Sequence, residues 1–391
     1  IDEKLNGLFA LAPAAEESRA GDRESKDEPP LRRGPAYSGV AGQAAADDSQ
    51  AADSDWPTFR HDSMRTGTTT TKVPGDANRL WRVKLAGKIS PPVAVSGKIY
   101  AALVDEHHVV CLDARDGSTL WQFAAGGRID SPPTCHRGTI LFGSADGWVY
   151  CVRADDGELV WRFRGAPRER LIGAFDQLES AWPVHGTVLV ENGTVYFAAG
   201  RTSQLDGGIR MFGLDARTGE VRHHAAIEGP HYTVDNIEEN FKLPMGVLPD
   251  VLVSDGSAIF MRSAAFDMEL NRAKGRPSFD APGGLLDDNY FKRVPWKMDG
   301  DYGRLLVHDN RSVYYVRMFD SLRGLDPTVF FTPAAKGYLL FAKNTGGGRN
   351  RWSLRIPVRI RAMALTGDHL IVAGPPDVVD PKDPLGAFEG R

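Results

Sequence analysis

Residues 111–121 read CLDARDGSTLW and residues 151–161 read CVRADDGELVW, so one pattern returns after 40 residues. Each copy starts in an apolar run, passes through an Asp-Gly turn and ends on a tryptophan four residues after the glycine. Trp81 precedes Trp121 by the same 40 residues. Units of about 40 residues with several short strands each are typical of β-propeller blades. The repeat therefore predicts an all-β fold built from blades.

Two weaker copies extend the repeat. Residues 213–223 read GLDARTGEVRH, with histidine at the tryptophan position, and residues 341–346 read FAKNTG. Each unit also carries a run that opens on glycine and continues with β-branched and aromatic residues, which favours strands. No stretch shows sustained helical periodicity. We predict a β-propeller of seven or eight blades, with insertions around residues 165–190 and 231–296. The given sequence need not contain all of these blades.

The turn and the tryptophan of each unit have a structural explanation. An Asp-Gly or Thr-Gly turn supplies the positive φ that joins two strands with the correct twist. The tryptophan after it offers a flat apolar face to the next blade and an N–H that can find a carbonyl. We therefore expect blade-to-blade docking, and no chemistry, from Trp81, Trp121, Trp161, Gly117, Gly157 and Gly219.

These motifs resemble a known family. Residues 111–121 and 151–161 are similar to the tryptophan-docking repeat of the pyrroloquinoline-quinone (PQQ)-like propellers, with Arg153 where the family prefers Asp. Residues 56–67, WPTFRHDSMRTG, resemble the entry strand of these propellers. The family includes BamB-like proteins, quinoprotein dehydrogenases and multidomain proteins of planctomycete-type bacteria. The resemblance implies a bacterial, periplasmic or otherwise exported protein, within a longer polypeptide.

Quinone chemistry is one activity that the resemblance implies. Family members that are dehydrogenases hold PQQ against a tryptophan, beneath a disulfide between adjacent cysteines, with a Ca²⁺ bound by Glu, Asn and Asp. Here Cys111, Cys135 and Cys151 are far apart in sequence, and no acidic residue matches the calcium or base positions. The prediction is therefore a non-catalytic binding or scaffold propeller with no assigned cofactor or metal. The alternatives are a PQQ- and calcium-dependent oxidoreductase and, second, a carbohydrate-active hydrolase or lyase.

Composition excludes several other classes. The 391 residues carry a formal net charge of −4, whereas a nucleic-acid binder needs a basic face that displaces counterions. No stretch reaches the roughly 18 apolar residues of a membrane span. Residues 1–55 hold 12 acidic, 6 basic and many alanine residues, and such composition predicts a disordered linker. We expect residues 14–54 to be mobile and removable, and the propeller to occupy residues 56–391.

One insertion concentrates polar groups of several kinds. We predict ligand or partner binding there, at the mouth of the axial channel, by Asp176, Gln177, Glu179, Trp182, His185 and Arg201. The expected partner is another domain of the same polypeptide, a protein or a small polar ligand. On this hypothesis, Glu179→Ala would leave the melting temperature nearly unchanged. The alternative is that the insertion covers blade edges, with Trp182 packed on the ring and its charges solvated.

Overall fold

Antiparallel β-sheets make up nearly all of the structure. The computed structural model describes residues 29–42, 54–75, 78–229, 249, 251–262, 264–275, 279–280, 296–317, 337–378, 380 and 382–383. Within these ranges one short helix, α1 (Tyr37–Ala41), accompanies 28 strands. The all-β prediction is confirmed. No helix in the described ranges is long and apolar enough to cross a membrane.

The first three blades are four-stranded meanders. Their strands are, in the first blade, β2 (Val93–Val95), β3 (Lys98–Leu103), β4 (His108–Asp113) and β5 (Thr119–Ala124); in the second, β6 (Thr134–His136), β7 (Thr139–Gly143), β8 (Trp148–Arg153) and β9 (Leu159–Arg164); and in the third, β12 (Leu189–Glu191), β13 (Thr194–Ala199), β14 (Ile209–Asp215) and β15 (Val221–Ile227). The first strands of consecutive blades contact each other, which makes them the inner strands of the ring.

Two further four-stranded blades and a strand pair follow. The fourth blade comprises β16 (Leu252–Ser254), β17 (Ile259–Met261), β18 (Ala264–Phe266) and β19 (Arg272–Ala273), and the fifth comprises β23 (Leu305–His308), β24 (Ser312–Arg317), β25 (Tyr338–Asn344) and β26 (Trp352–Ile356). β27 (Ala362–Leu365) pairs with β28 (Leu370–Ala373). The predicted number of seven or eight blades stays a prediction, since the described residues hold five four-stranded blades and this pair.

The remaining strands lie in or beside the predicted insertions and in the N-terminal segment. They are β1 (Leu31–Arg33), the hairpin β10 (Leu171–Ala174) and β11 (Gln177–Ser180), and the sheet of β20 (Phe279–Asp280), β21 (Trp296–Met298) and β22 (Asp301–Gly303). The hairpin lies between the second and third blades, inside the 165–190 insertion. The fourth blade falls inside the segment 231–296, much of which lies outside the described residues.

The hydrophobic core is divided among the interfaces between neighbouring blades. One cluster joins Tyr100 and Val109 of the first blade to Phe142 and Tyr150 of the second. Other clusters join the second blade to the third, the third to the fourth and the fourth to the fifth. Each blade is therefore stabilised by its neighbours, as expected of a propeller.

The repeated tryptophans lie at these interfaces. The indole N–H of Trp81 donates to the carbonyl of Ala114 in the first blade at 2.9 Å. Trp121 and Trp161 make the same contact with the next blade in turn, to Ala154 at 3.1 Å and Ala216 at 3.3 Å. Each ring also covers a turn glycine of that blade, where a Cβ would come within 3 Å of the indole. The contribution of these contacts to stability stays a prediction.

Part of the predicted linker packs on the second blade. β1 adds a fifth strand to β9, with Leu31 opposite Phe163, and Ala36 is buried. The expectation of few tertiary contacts from residues 14–54 is therefore wrong for residues 29–42. The physical reason is that β9 is an edge strand whose free N–H and C=O groups accept a partner strand. Residues 1–28 and 43–53 lie outside the described residues, so the linker prediction is untested there.

Candidate functional site

A segment ahead of the first blade crosses the inner strands of the ring. We call residues 54–72 the entry segment. Inner-strand amides of five sheets donate to its carbonyls: Ala94 to Trp56 (2.9 Å), Cys135 to Pro57 (2.7 Å), Ser254 to Ser63 (2.9 Å), His308 to Thr66 (3.0 Å) and Leu365 to Gly67 (2.9 Å). Its β-pairing consists of isolated bridges at Trp56 and Thr68. Residues 56–66 therefore cross the first, second, fourth and fifth blades in chain order and do not add a full strand to any one sheet.

Arg65 fixes the middle of the entry segment. Its guanidinium is fully buried and donates to the Leu252 carbonyl at 3.0 Å and the Thr58 hydroxyl at 2.9 Å. It also donates to the carbonyls of Phe59 and Asp62 within the segment. Burial lowers the pKa of Arg65 to about 10. One side chain thus ties the loop to the fourth blade.

A cavity of about 1270 Å³ opens beside the entry segment. We call it the axial cavity. It lies at the end of the inner strands where β2, β6 and β12 turn into the strands that follow them. Its polar lining includes Asp55, Thr58, His61, Asp62, Ser96, Lys98, Thr134, His136, Arg137, Asp155, Glu191 and Asn192. A second cavity of about 360 Å³ shares Asp55, Pro57, His61 and Asp62 with it.

Three equivalent turns form the rim of the axial cavity. The turn residues Ser96, Arg137 and Asn192 all have positive φ and exposed side chains, and a glycine follows each of them. The carbonyl of that glycine accepts a hydrogen bond from the amide of an alanine (Ala114, Ala154 or Ala216). The carbonyl of the same alanine accepts the indole N–H of one of the repeated tryptophans. The backbone of the rim is thus held by the repeated blade contacts, while the three exposed side chains differ.

The charges at the cavity are mixed and partly paired. Lys98 on the first blade binds Asp155 on the second at 2.6 Å. Burial lowers the pKa of His136. Burial also opposes ionisation of Asp62, but hydrogen bonds from His61 and Thr66 outweigh it and lower the carboxyl pKa. The cavity therefore offers cationic, anionic and hydroxyl groups to one ligand.

The predicted site residues lie at the opposite end of the blades. Consecutive strands are antiparallel, so the hairpin β10–β11 and the turns after β3 and β13 lie away from the rim. There Arg201 donates to Glu179 at 2.5 Å, and both side chains are buried. Arg128 lies 3.7 Å from the same carboxylate and binds Asp130 at 2.7 Å. The structure thus brings Glu179 and Arg201 together in a buried charge cluster.

Burial gives a new expectation for the stability of Glu179 variants, while ligand binding by Glu179 stays a prediction. A carboxylate that is 2% exposed and paired with arginine is a structural ion pair, whose removal leaves Arg201 uncompensated. The sequence could not show this, because the partner Arg128 lies in the connection between β5 and β6, where nothing marks it as buried. Arg128 and the axial cavity are the features that sequence reasoning missed.

The other predicted residues divide between core and hairpin tip. Trp182 is buried in the core between the second and third blades, and its N–H donates to the Asp206 carbonyl at 2.9 Å. His185 is buried as well. Asp176 lies in the turn of the hairpin, and Gln177 contacts His107 of the first blade at 2.6 Å. Binding by these residues stays a prediction.

The described lining of the axial cavity does not fit PQQ with calcium. Tyr100 is its one aromatic residue apart from histidines, so no tryptophan provides a flat platform. The described residues contain no group of three or more His, Cys, Asp or Glu side chains placed to hold a metal. All three cysteines are free thiols.

The family follows from a sequence match that covers more than half of the chain. Residues 73–317 match the family described as "Outer membrane protein assembly factor BamB". The chain belongs to this family. The first four blades lie within the matched residues. No curated protein matches the chain.

The chain is also similar to several solved structures at low sequence identity. BamB from Moraxella catarrhalis is 15% identical, with 75% of this chain and 72% of that chain covered and a TM-score of 0.38. A quinohemoprotein alcohol dehydrogenase from Comamonas testosteroni is 13% identical, with 86% and 55% covered and a TM-score of 0.44. A quinohemoprotein alcohol dehydrogenase from Pseudomonas putida is 12% identical, with 89% and 72% covered and a TM-score of 0.41.

Proposed function

We propose that this chain is a non-catalytic binding propeller of an exported protein, and that its axial cavity takes a polar ligand or a polar segment of a partner. The observation that carries the proposal is the rim. Its backbone repeats from blade to blade, whereas its exposed side chains are a serine, an arginine and an asparagine. A purely structural position would not need three different polar groups at equivalent places.

The size and polarity of the cavity support the same function. A volume of about 1270 Å³ exceeds that of most small-molecule pockets and suits a peptide segment or a large polar ligand. The family description, an outer-membrane assembly factor, supports an exported location and a role in assembly.

Photocrosslinking tests the proposal. A photoreactive residue replaces Asp155, which is exposed at the cavity, in the full chain produced in its own cells. The matched control places it at exposed Leu120 on the outer strand β5. We expect a discrete adduct from position 155 that Arg137→Ala weakens, and none from position 120. Adducts from position 120 alone would contradict a ligand at the axial cavity.

The oxidoreductase alternative has its own test. Purified protein is mixed with PQQ and CaCl₂, passed through a desalting column and examined for bound quinone absorbance. The proposed function predicts none. Stoichiometric bound quinone would establish the alternative and contradict the proposal. The carbohydrate-active alternative stays an untested prediction, and no described feature favours it.

A further inference from the structure

Residues 79–85 occupy the sequence position of an outer strand, but no described strand lies beside them. We call them the Trp81 segment. Trp81 precedes Trp121 of β5 by 40 residues, and its indole N–H makes the same contact with the blade that follows. β5 and β9 pair along their lengths with β4 and β8. The backbone of the Trp81 segment, in contrast, makes no hydrogen bond to the part of the chain that the structure describes.

One face of the Trp81 segment is fixed on the first blade. A Cβ at Gly117 of that blade would lie 2.6 Å from the Trp81 ring, and Leu85 packs against a buried cluster of β3 and β4. The rest of the segment is open, since Leu80 is 85% and Val83 is 38% exposed. Exposed apolar residues beside unpaired main-chain groups are the features of a strand edge that another strand can join.

The charge of the Trp81 segment has one sign. Arg79, Arg82 and Lys84 are exposed, and none of the three forms an ion pair with a described residue. The segment contains no acidic residue. Opposite charges that face each other on neighbouring strands stabilise their pairing, whereas like charges destabilise it. A strand that joins the segment should therefore carry acidic side chains.

The neighbouring blades give the register of such a strand. In β4 a cysteine lies opposite Trp121 and a valine lies opposite Phe123, and β8 repeats both pairs opposite β9. Phe123 corresponds to Val83 in the 40-residue repeat. The same antiparallel register therefore places a small apolar residue opposite Trp81 and a valine opposite Val83.

We propose that the Trp81 segment is a docking site for a β-strand of a partner protein. The partner strand adds antiparallel to the segment, main-chain hydrogen bonds provide affinity, and alternate side chains provide selectivity. Its recognition pattern is an acidic residue, valine, a second acidic residue and a small apolar residue. In this order the acidic residues lie opposite Lys84 and Arg82. The site goes beyond the proposed function, because no residue of the segment lines the axial cavity.

A defined peptide tests the charge selectivity. Fluorescent Thr-Glu-Val-Glu-Ala-Thr is titrated into the purified full chain, and its anisotropy measures binding. Arg82→Glu should weaken binding about fivefold, and a peptide with lysine in place of both glutamates should restore it. The matched control is Arg349→Glu, since Arg349 is also exposed but lies between β25 and β26, and it should leave binding unchanged. Circular dichroism spectra report separately on the fold of each variant.

Methylated peptides test the main-chain pairing. In an antiparallel pair, the amides of a strand point alternately toward and away from a given neighbour. Methylation of one alternate set of peptide amides should therefore abolish binding, whereas methylation of the other set should leave it nearly unchanged. An attraction that depends only on charge would not distinguish the two sets.

Hydrogen exchange at the amides of the Trp81 segment identifies the occupant. Fast exchange that the peptide slows, together with the effects of charge reversal and of alternate methylation, supports the proposal. Slow exchange without the peptide overturns it, because another part of this chain would already pair there, or a second copy if protection rises with protein concentration. A peptide that does not bind also overturns it, as do equal effects of Arg82→Glu and Arg349→Glu or of the two methylated sets.

Discussion

Trp121 and Trp161 occupy the same place in consecutive blades, yet one is 8% exposed and the other not at all. The difference reflects β1, which covers the outer edge of the second blade and leaves that of the first open. The equivalent positions Leu120 and Val160 show the same effect, at 46% and 0% exposure. At the residue scale, the burial of a side chain thus depends on what covers the edge of its blade as much as on its position in the repeat.

Replacing Trp121 by alanine should destabilise the protein by about 3–5 kcal/mol, because a buried ring and its hydrogen bond to Ala154 are lost. Urea unfolding measures this. The matched control is Trp352→Ala, since Trp352 is 39% exposed, and it should cost about 1 kcal/mol or less. Equal costs for the two variants would contradict the docking role.

Glu179→Ala should cost about 3–5 kcal/mol, since Arg201 would remain buried without its carboxylate. The control is Asp206→Asn, which breaks the more exposed pair with Arg170 and should cost about 1 kcal/mol or less. Thermal unfolding compares the two. A Glu179→Ala protein that melts with the parent would restore the hypothesis of a ligand-binding carboxylate.

At the element scale, the sequence predicts the repeated blades but not the strands and segments that occur once. The 40-residue period predicts the blades because each unit must bury its faces against the next. The pairing of β1 with β9 is invisible in an acidic, alanine-rich segment, since edge pairing uses main-chain groups. The crossing of the inner strands by residues 56–69 leaves no periodic pattern for the same reason. Sequence proximity groups Glu179 with Arg201, but it does not reveal Arg128, which lies 3.7 Å from Glu179 and comes from a distant connection.

Gly34→Ala should detach β1 from the second blade, because a Cβ at Gly34 would lie 2.1 Å from the Leu159 carbonyl oxygen. Hydrogen exchange at the Arg164 amide, which donates to Pro30, should become faster. The control is Gly39→Ala in α1, where a Cβ meets nothing within 4 Å. Unchanged exchange in Gly34→Ala would show that β1 tolerates the displacement.

At the scale of the whole molecule, stability should fall as the pH drops below about 6.5. Burial lowers the pKa of His136 and His308 in the folded state. The unfolded chain therefore binds protons first as the pH falls, and this favours unfolding by up to roughly 1.4 kcal/mol per pH unit and histidine.

Urea unfolding at pH 7.5 and pH 5.5 measures the loss of stability. His308→Gln should reduce it, whereas the same change at exposed His369 should not. A stability that is constant or rises over this range would contradict the assignment to buried histidines.

The path of the entry segment determines when its contacts with the blades can form during synthesis. The segment emerges from the ribosome before every strand that it contacts, and the Gly367 amide that donates to the Thr71 carbonyl follows it by 296 residues. The first, second, fourth and fifth blades then add their contacts one after another to a segment that is already synthesised, so early intermediates expose the segment's carbonyls. High contact order of this kind slows the final step and extends the time in which chaperones or a neighbouring nascent chain can compete for the unfinished ring.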